Sequence, residues 1–165
     1  MTASNEIPLV LGERLVEFVN RISHREGKVL ALMSEYSVTL PQVLILKSLE
    51  SSGGMPLSKI AETFRMSLSS ASQMVDRLCR QRFAVRREDP GDRRQKIVRA
   101  TSKAIDLLAK IHRARSEEYA AGIAHLSPRL LSDLDQALRR IIDEWQTQER
   151  PMSGEQAGPG TVRHR

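Results

Sequence analysis

The sequence contains a single cysteine, Cys79, which excludes an intrachain disulfide and a multi-thiolate metal site. Its four histidines, His24, His112, His125 and His164, lack close paired spacing with one another or with Cys79, so no metal is expected. Aromatic residues make up only 4% of the 165 residues. That is too few for a platform on which successive bases of a single strand would stack, and it disfavours RNA for the same reason. No apolar run approaches the roughly 20 residues needed to span a bilayer. The segment Met1 to Pro8 lacks the basic-then-apolar pattern of a secretory signal. The expectation is a soluble cytoplasmic protein that does not engage membranes. There is no Gly-rich phosphate loop, nucleophile elbow or paired-histidine motif, so neither an enzyme nor a bound cofactor is expected.

What the sequence does have is positive charge in one place. Between Arg77 and Lys103 lie Arg77, Arg80, Arg82, Arg86, Arg87, Arg93, Arg94, Lys96, Arg99 and Lys103, against Glu88, Asp89 and Asp92. This stretch more than accounts for the net charge of +6. A field so concentrated attracts a polyanion, and neutralising phosphates while releasing their counterions supplies much of a nucleic-acid binder's affinity. With stacking surfaces scarce, the polyanion expected is double-stranded DNA. Hydrophobic residues at 40% are enough to fold a core, so the basic stretch belongs to a globular protein.

Apolar periodicity organises the rest. Leu11, Leu15, Phe18, Ile22, Val29 and Met33 follow a near-heptad seam interrupted at His24-Arg25-Glu26-Gly27, which predicts one long N-terminal helix within residues 9–36. Thr39 with Gln42 three residues on, and Pro41 between them, predicts a capped second helix that ends at Ser51-Ser52-Gly53-Gly54. Ser58 is positioned to cap a short helix with Ile60, Ala61 and Phe64 inward. Ser67 is positioned to cap another running to about Gln81. Two helices so close in sequence predict a helix-turn-helix. In its second helix Leu68, Ala71, Met74 or Val75, and Leu78 share one face, which leaves Ser69, Ser70, Gln73, Arg77 and Arg80 on the other. Two β-prone runs, Phe83 to Arg87 and Lys96 to Ala100, flank a charged Pro-Gly turn and predict a two-stranded hairpin, or wing. Thr101 or Ser102 opens a long helix through Ile105, Leu108, His112, Arg115, Tyr119 and Ile123. Ser127-Pro128 opens another, carrying Leu131, Leu134, Leu138, Ile141 and Trp145 as a stripe. The tail from Pro151 to Arg165 is polar and rich in Gly and Pro, a composition that predicts disorder from about residue 149 onward.

The order of elements, with Asp89-Pro90-Gly91-Asp92-Arg93-Arg94 followed by Ile97-Val98-Arg99-Ala100-Thr101, resembles the MarR family of bacterial winged helix-turn-helix transcriptional regulators. Supporting matches are Leu57-Ser58-x-Ile60-Ala61 and Val75-Asp76-Arg77-Leu78, and the resemblance covers about Leu9 to Gln148. It implies a mainly α fold of the α+β winged-helix kind: a DNA-binding domain at 39–101, with long dimerisation helices at 9–36 and 102–148. It also implies that Arg94 inserts into the minor groove while Asp92 braces it, with Arg93 as a phosphate contact or a second groove arginine. That role suits an arginine, whose slender, permanently charged fork enters a narrow groove of strongly negative potential. The chain departs from the family pattern at Arg82, where a glycine is usual at the end of the recognition helix, and at Ala100 and Ala104. A side chain at a left-handed cap is costly, so either the helix exit differs or Arg82 serves the phosphates.

Candidate DNA contacts are therefore Ser69, Ser70, Gln73, Arg77, Arg80, Arg86, Asp92, Arg93, Arg94 and Lys96. Gln73 and Arg77 suit adenine and guanine edges, while Ser69 and Ser70 suit phosphate near a helix N-terminus. Arg77 has a rival role as a partner of Asp76 or as a phosphate contact. The strand cations and Lys103 are assigned to phosphate affinity. A symmetric homodimer would cover the extra amphipathic helices and match a palindromic operator.

By resemblance, a small ligand, often aromatic or anionic, is expected between the dimerisation helices and the winged module and would release the operator. Its candidate lining is His24, Arg25, Met33, Tyr36, His112 and Tyr119. Competing roles for His24 and Arg25 are plain exposure or an intersubunit ion pair, and for Tyr119 a place in the core. The main functional expectation is a ligand-responsive repressor. One alternative is a redox-responsive regulator acting through Cys79, which could equally be a small apolar filler. Another is an adaptor whose helical arms bind a partner protein and whose cations give only nonspecific DNA affinity.

Overall fold

The computed structural model describes residues 6–23, 27–88 and 96–149. The elements in order are α1 (Glu6–Ile22), α2 (Lys28–Glu35), α3 (Leu40–Ser52), β1 (Met55–Pro56), α4 (Leu57–Thr63), α5 (Leu68–Arg80), β2 (Ala84–Glu88), β3 (Lys96–Ala100), α6 (Ser102–Ile123) and α7 (Pro128–Glu149). The chain divides into two compact units, the second beginning at Ile123. The fold is mainly α with a winged helix-turn-helix, as expected. The disorder expected of the tail, and the expectations for His24, Arg25, Asp92, Arg93 and Arg94, fall outside the described residues.

The sequence periodicity led to one N-terminal helix, but there are two. The apolar seam continues from α1 into α2 while the backbone breaks, and Gly27 takes a left-handed conformation (φ 63°) just before α2. The Ala31 N–H donates to the Gly27 carbonyl at 2.9 Å, so a new helical ladder starts there.

Helix α3 begins as its sequence predicts. The Thr39 N–H donates to Gln42 Oε1 at 2.9 Å, and Pro41 occupies the first turn, where its missing N–H costs nothing. Helix α4 starts at Leu57 after Pro56, so Ser58 lies inside it rather than at its cap. At α5 the expected cap forms, Ser67 Oγ accepting from the Ser70 N–H at 3.1 Å. Thr101 caps α6 by accepting from the Ala104 N–H at 3.3 Å. The same hydroxyl donates to the Arg82 carbonyl at 2.8 Å, tying the start of α6 to the end of α5.

The wing is part of a three-stranded antiparallel sheet of order β1-β3-β2, one strand more than the sequence indicated. Pairing runs from Ala84 opposite Ala100 to Glu88 opposite Lys96. Met55 and Pro56 join as a short edge opposite Val98 and Ile97. Gly54 makes this approach possible: at φ 123°, a Cβ there would lie 2.7 Å from Arg99 Cγ and 2.9 Å from the Val98 carbonyl oxygen. Two residues are too short a run for strand periodicity to reveal, so only the tertiary pairing identifies β1.

The core sits where α3, α4, α5, the sheet and the first half of α6 meet. Ile45, Leu46, Leu49, Ile60, Val75, Leu78, Phe83, Val98 and Leu107 have almost no exposed surface. Ala104 is fully buried, so a small side chain suits this position. In the second unit α7 is capped by Ser127, whose hydroxyl accepts from the Leu130 N–H at 3.3 Å.

Helices α2, α4 and α5 all end in the same double hydrogen-bond exit. In α5 the Phe83 N–H donates to the Leu78 carbonyl at 2.9 Å and the Arg82 N–H to Cys79 at 3.0 Å. In α4 the equivalent bonds run from Met66 to Ala61 at 2.9 Å and from Arg65 to Glu62 at 3.1 Å. In α2 they run from Val38 to Met33 and from Ser37 to Ser34. The exit needs one left-handed residue, and here these are Ser37 (φ 51°), Arg65 (φ 49°) and Arg82 (φ 62°) rather than glycine. A Cβ in this region costs on the order of 1–2 kcal/mol. The helix exit at Arg82 is therefore retained, with strain, rather than altered.

Candidate nucleic-acid interface and ligand cavity

Helix α5 has two chemically distinct faces. Ala71, Val75 and Leu78 are buried, while Ser69, Ser70, Gln73, Arg77 and Arg80 are exposed together with the capping residue Ser67. Burial of the first set against α4 and β2 leaves the second set free for a ligand outside the protein. Leu68, assigned by its spacing to the inner face, is 56% exposed because it opens the helix before the buried turn begins. At the far end, Asp76 is not paired with Arg77, which had been that arginine's rival role. Asp76 instead engages Arg86 of β2, with Nη1 to Oδ1 at 2.7 Å. This charge-assisted bond holds a wing-strand cation against the recognition helix and leaves Arg77 available.

Arg87, Lys96 and Arg99 are exposed on the sheet. Lys103 is differently employed from its assignment to phosphate affinity. Its ammonium donates to the Gln81 carbonyl at 3.0 Å and lies 4.4 Å from the centre of the Phe83 ring. It thus satisfies a carbonyl at the end of α5, where a cation complements the helix dipole.

A second feature is a cavity of about 140 Å³ lined by Ser23, Gly27, Val29, Leu30, Met33, Leu40, Arg115, Glu118 and Tyr119. Of the residues expected to line a ligand site, Met33 and Tyr119 are here. Tyr36 and His112 are not. The Tyr36 hydroxyl accepts from Lys110 Nζ at 2.6 Å, and its ring packs 6.3 Å from that of Phe83, so it belongs to the core margin. His112 is exposed on α6. Sequence reasoning missed Leu30, Leu40, Arg115 and Glu118. The signal was the α6 spacing, since Arg115, Glu118 and Tyr119 recur at steps of three and four on one face. Glu118 is only 3% exposed, and one of its oxygens accepts from the Val29 N–H at 3.4 Å, near the start of α2.

Residues 38–96, from Val38 through Lys96, match the model of the MarR family. The HTH-type transcriptional regulator YhbI of Bacillus subtilis, itself uncharacterised, is 29% identical over 142 residues, which cover 86% of this chain and 89% of the relative. Over residues 38–96 the chain is thus similar to the MarR family of winged helix-turn-helix transcriptional regulators. The fold is shared with transcriptional regulator Tm0710 of Thermotoga maritima, at a TM-score of 0.70 and 17% identity, covering 87% of this chain and 96% of that one. It is shared also with MepR of S. aureus in a DNA complex, at a TM-score of 0.63 and 20% identity, covering 77% and 96% of the two chains.

Cys79 is half-buried on α5. Burial pushes its thiol above the ordinary range, and Asp76 adds to the rise, while the positive charge of Arg86 acts the other way. The net direction keeps the thiol protonated, whereas a reactive cysteine needs the thiolate. Among the described residues no single helix is long and apolar enough to cross a membrane.

Proposed function

We propose that this protein is a homodimeric, operator-specific transcriptional repressor whose hold on DNA is released by a small ligand. The observation that carries the reading is the exposed face of α5, where Gln73, Arg77 and Arg80 stand clear of a buried apolar face. Gln73 and Arg77 read base edges in the major groove, and Ser69 and Ser70 take phosphate. Arg80, Arg86 and Lys96 supply further backbone contacts. The wing-tip residues Asp92, Arg93 and Arg94 serve the minor groove, with Arg94 inserted and Asp92 bracing it.

Residues 39–101 are the DNA-binding part of this scheme, and the helices on either side are the dimerisation part. Helix α1 exposes Ile7, Leu9, Leu11, Leu15 and Val16, and α7 exposes Leu138, Ile141, Ile142 and Trp145. Apolar surface of this extent is costly to leave in water, and a second copy of the chain covers it. The cavity lined by Met33 and Tyr119 receives the ligand. Its volume suits a single aromatic ring, and Arg115 offers a cationic partner for an anionic substituent.

Footprinting on DNA adjoining the gene tests the reading. The expected result is a protected palindrome with half-sites about one helical turn apart, holding two chains per site. Absence of any protected segment would overturn it. Arg94→Ala should weaken operator binding while the dimer persists, and unchanged binding by that variant would remove the wing from the scheme.

A further inference from the structure

The three strained helix exits are not occupied at random. Where α3 leaves its last turn, the left-handed position is Gly53 (φ 69°), which meets the conformational demand without strain. The exits directly before and directly after the recognition helix α5 carry Arg65 (φ 49°) and Arg82 (φ 62°). Neither can relax by changing conformation. The paired backbone bonds at each exit fix it, and the Thr101 hydroxyl adds a bond to the Arg82 carbonyl at 2.8 Å. Both side chains are exposed, and neither guanidinium has an ion pair or hydrogen bond among the described residues. The backbone strain at these positions is thus not offset by any contact these side chains make within the described residues.

We infer that Arg65 and Arg82 form a phosphate clamp, one arginine at each end of the recognition helix. The inference rests on the DNA-binding reading above and extends it to a residue, Arg65, that lies outside the basic stretch. The 13 residues of α5 span about 20 Å, whereas the major groove is about 12 Å wide. A helix seated in the groove therefore brings its ends near the two phosphate backbones that border it. A permanently charged, multi-donor guanidinium placed just beyond each end is matched to phosphate oxygens. Such contacts set the depth and register of the helix and carry no base preference. The rival role for an arginine at this position is simply to offset the dipole of the helix it terminates.

Full-length Arg65→Gly and Arg82→Gly, with Arg65→Lys and Arg82→Lys as charge-retaining controls, separate these roles. Each would be melted by calorimetry and titrated with operator and with random DNA over a range of salt. The clamp predicts that each glycine variant melts a few degrees higher, about 2–4 °C, because the strain is gone. It also predicts that the slope of log affinity against log salt becomes shallower by about 0.9 per arginine removed, equally on both DNAs. The lysine variants should keep the parental slope. A parental slope in both glycine variants overturns the clamp, and a lowered melting temperature accompanying it would assign the arginines to the helix dipoles. If the parent itself shows no salt-dependent DNA binding, the DNA-binding reading fails. If the parent binds and the glycine variants match it, only the clamp does.

Discussion

Gln73 stands alone among the exposed residues of α5 as an uncharged side chain able to make two hydrogen bonds to an adenine edge. Gln73→Ala should therefore reduce operator affinity by about 1–3 kcal/mol while leaving affinity for random DNA unchanged, as competition binding would measure. An equal loss on both would make Gln73 a phosphate contact. The neighbouring Asp76 illustrates how a residue's role depends on what folds against it. In the sequence its nearest cation is Arg77, but the pairing of β2 with the helix brings Arg86 to 2.7 Å instead. Cys79 is placed by the same packing. With its thiol raised by burial, the folded state holds the proton more tightly than the unfolded chain does. Its contribution to stability is thus intact at neutral pH and is lost as pH rises through the elevated value. Alkylation of native Cys79 at pH 8 should run slower than that of a free thiol such as glutathione. Alkylation at the rate of the free thiol or faster would return the redox alternative to consideration.

At the scale of elements, the winged helix-turn-helix was legible because its signals are local. Caps at Thr39, Ser67 and Thr101, a 3.6-residue stripe on α5 and a charged Pro-Gly turn between β-prone runs each need only a few neighbouring residues to recognise. The break between α1 and α2 was not legible, since the apolar seam continues across it. The short strand β1 was hidden because its pairing with Val98 and Ile97 joins residues far apart in sequence. The cavity was half legible: Met33 and Tyr119 were found from their chemistry, whereas Arg115 and Glu118 share a face of α6 with Tyr119 by spacing, and only the packing of α6 on α2 shows that this face lines a cavity. Two substitutions probe these joints. Thr101→Val removes the cap of α6 and the bonds to the Arg82 and Phe83 carbonyls, and should cost about 1–2 kcal/mol in urea unfolding. Gly122→Ala would place a Cβ 2.7 Å from Ile22 Cα and Cβ, and should cost about 1–3 kcal/mol through overpacking of α6 against α1. Wild-type stability in Gly122→Ala would mean that this contact is not made in solution.

For the whole molecule, the exposed apolar residues at both ends of the chain and the exposed basic face in its middle make a single demand. On the proposed reading a palindromic operator is matched by two copies, and the terminal helices would offer the surface that a second copy covers. Leu15 is 54% exposed on α1 and Trp145 is 61% exposed on α7. Leu15→Glu combined with Trp145→Glu should shift the protein to monomers in sedimentation at micromolar concentration and weaken operator binding, with helix content retained by circular dichroism. A double variant that stays dimeric would move the interface elsewhere. The central claim is that the basic face reads a sequence rather than merely attracting charge. Equilibrium titration of the native protein against its own promoter palindrome and a shuffled duplex, from about 50 to 200 mM salt, tests it most directly. A sequence-reading dimer should favour the palindrome by about 1,000-fold or more near physiological salt, with both affinities falling steeply as salt rises. Equal affinity for the two duplexes at every salt concentration would contradict it.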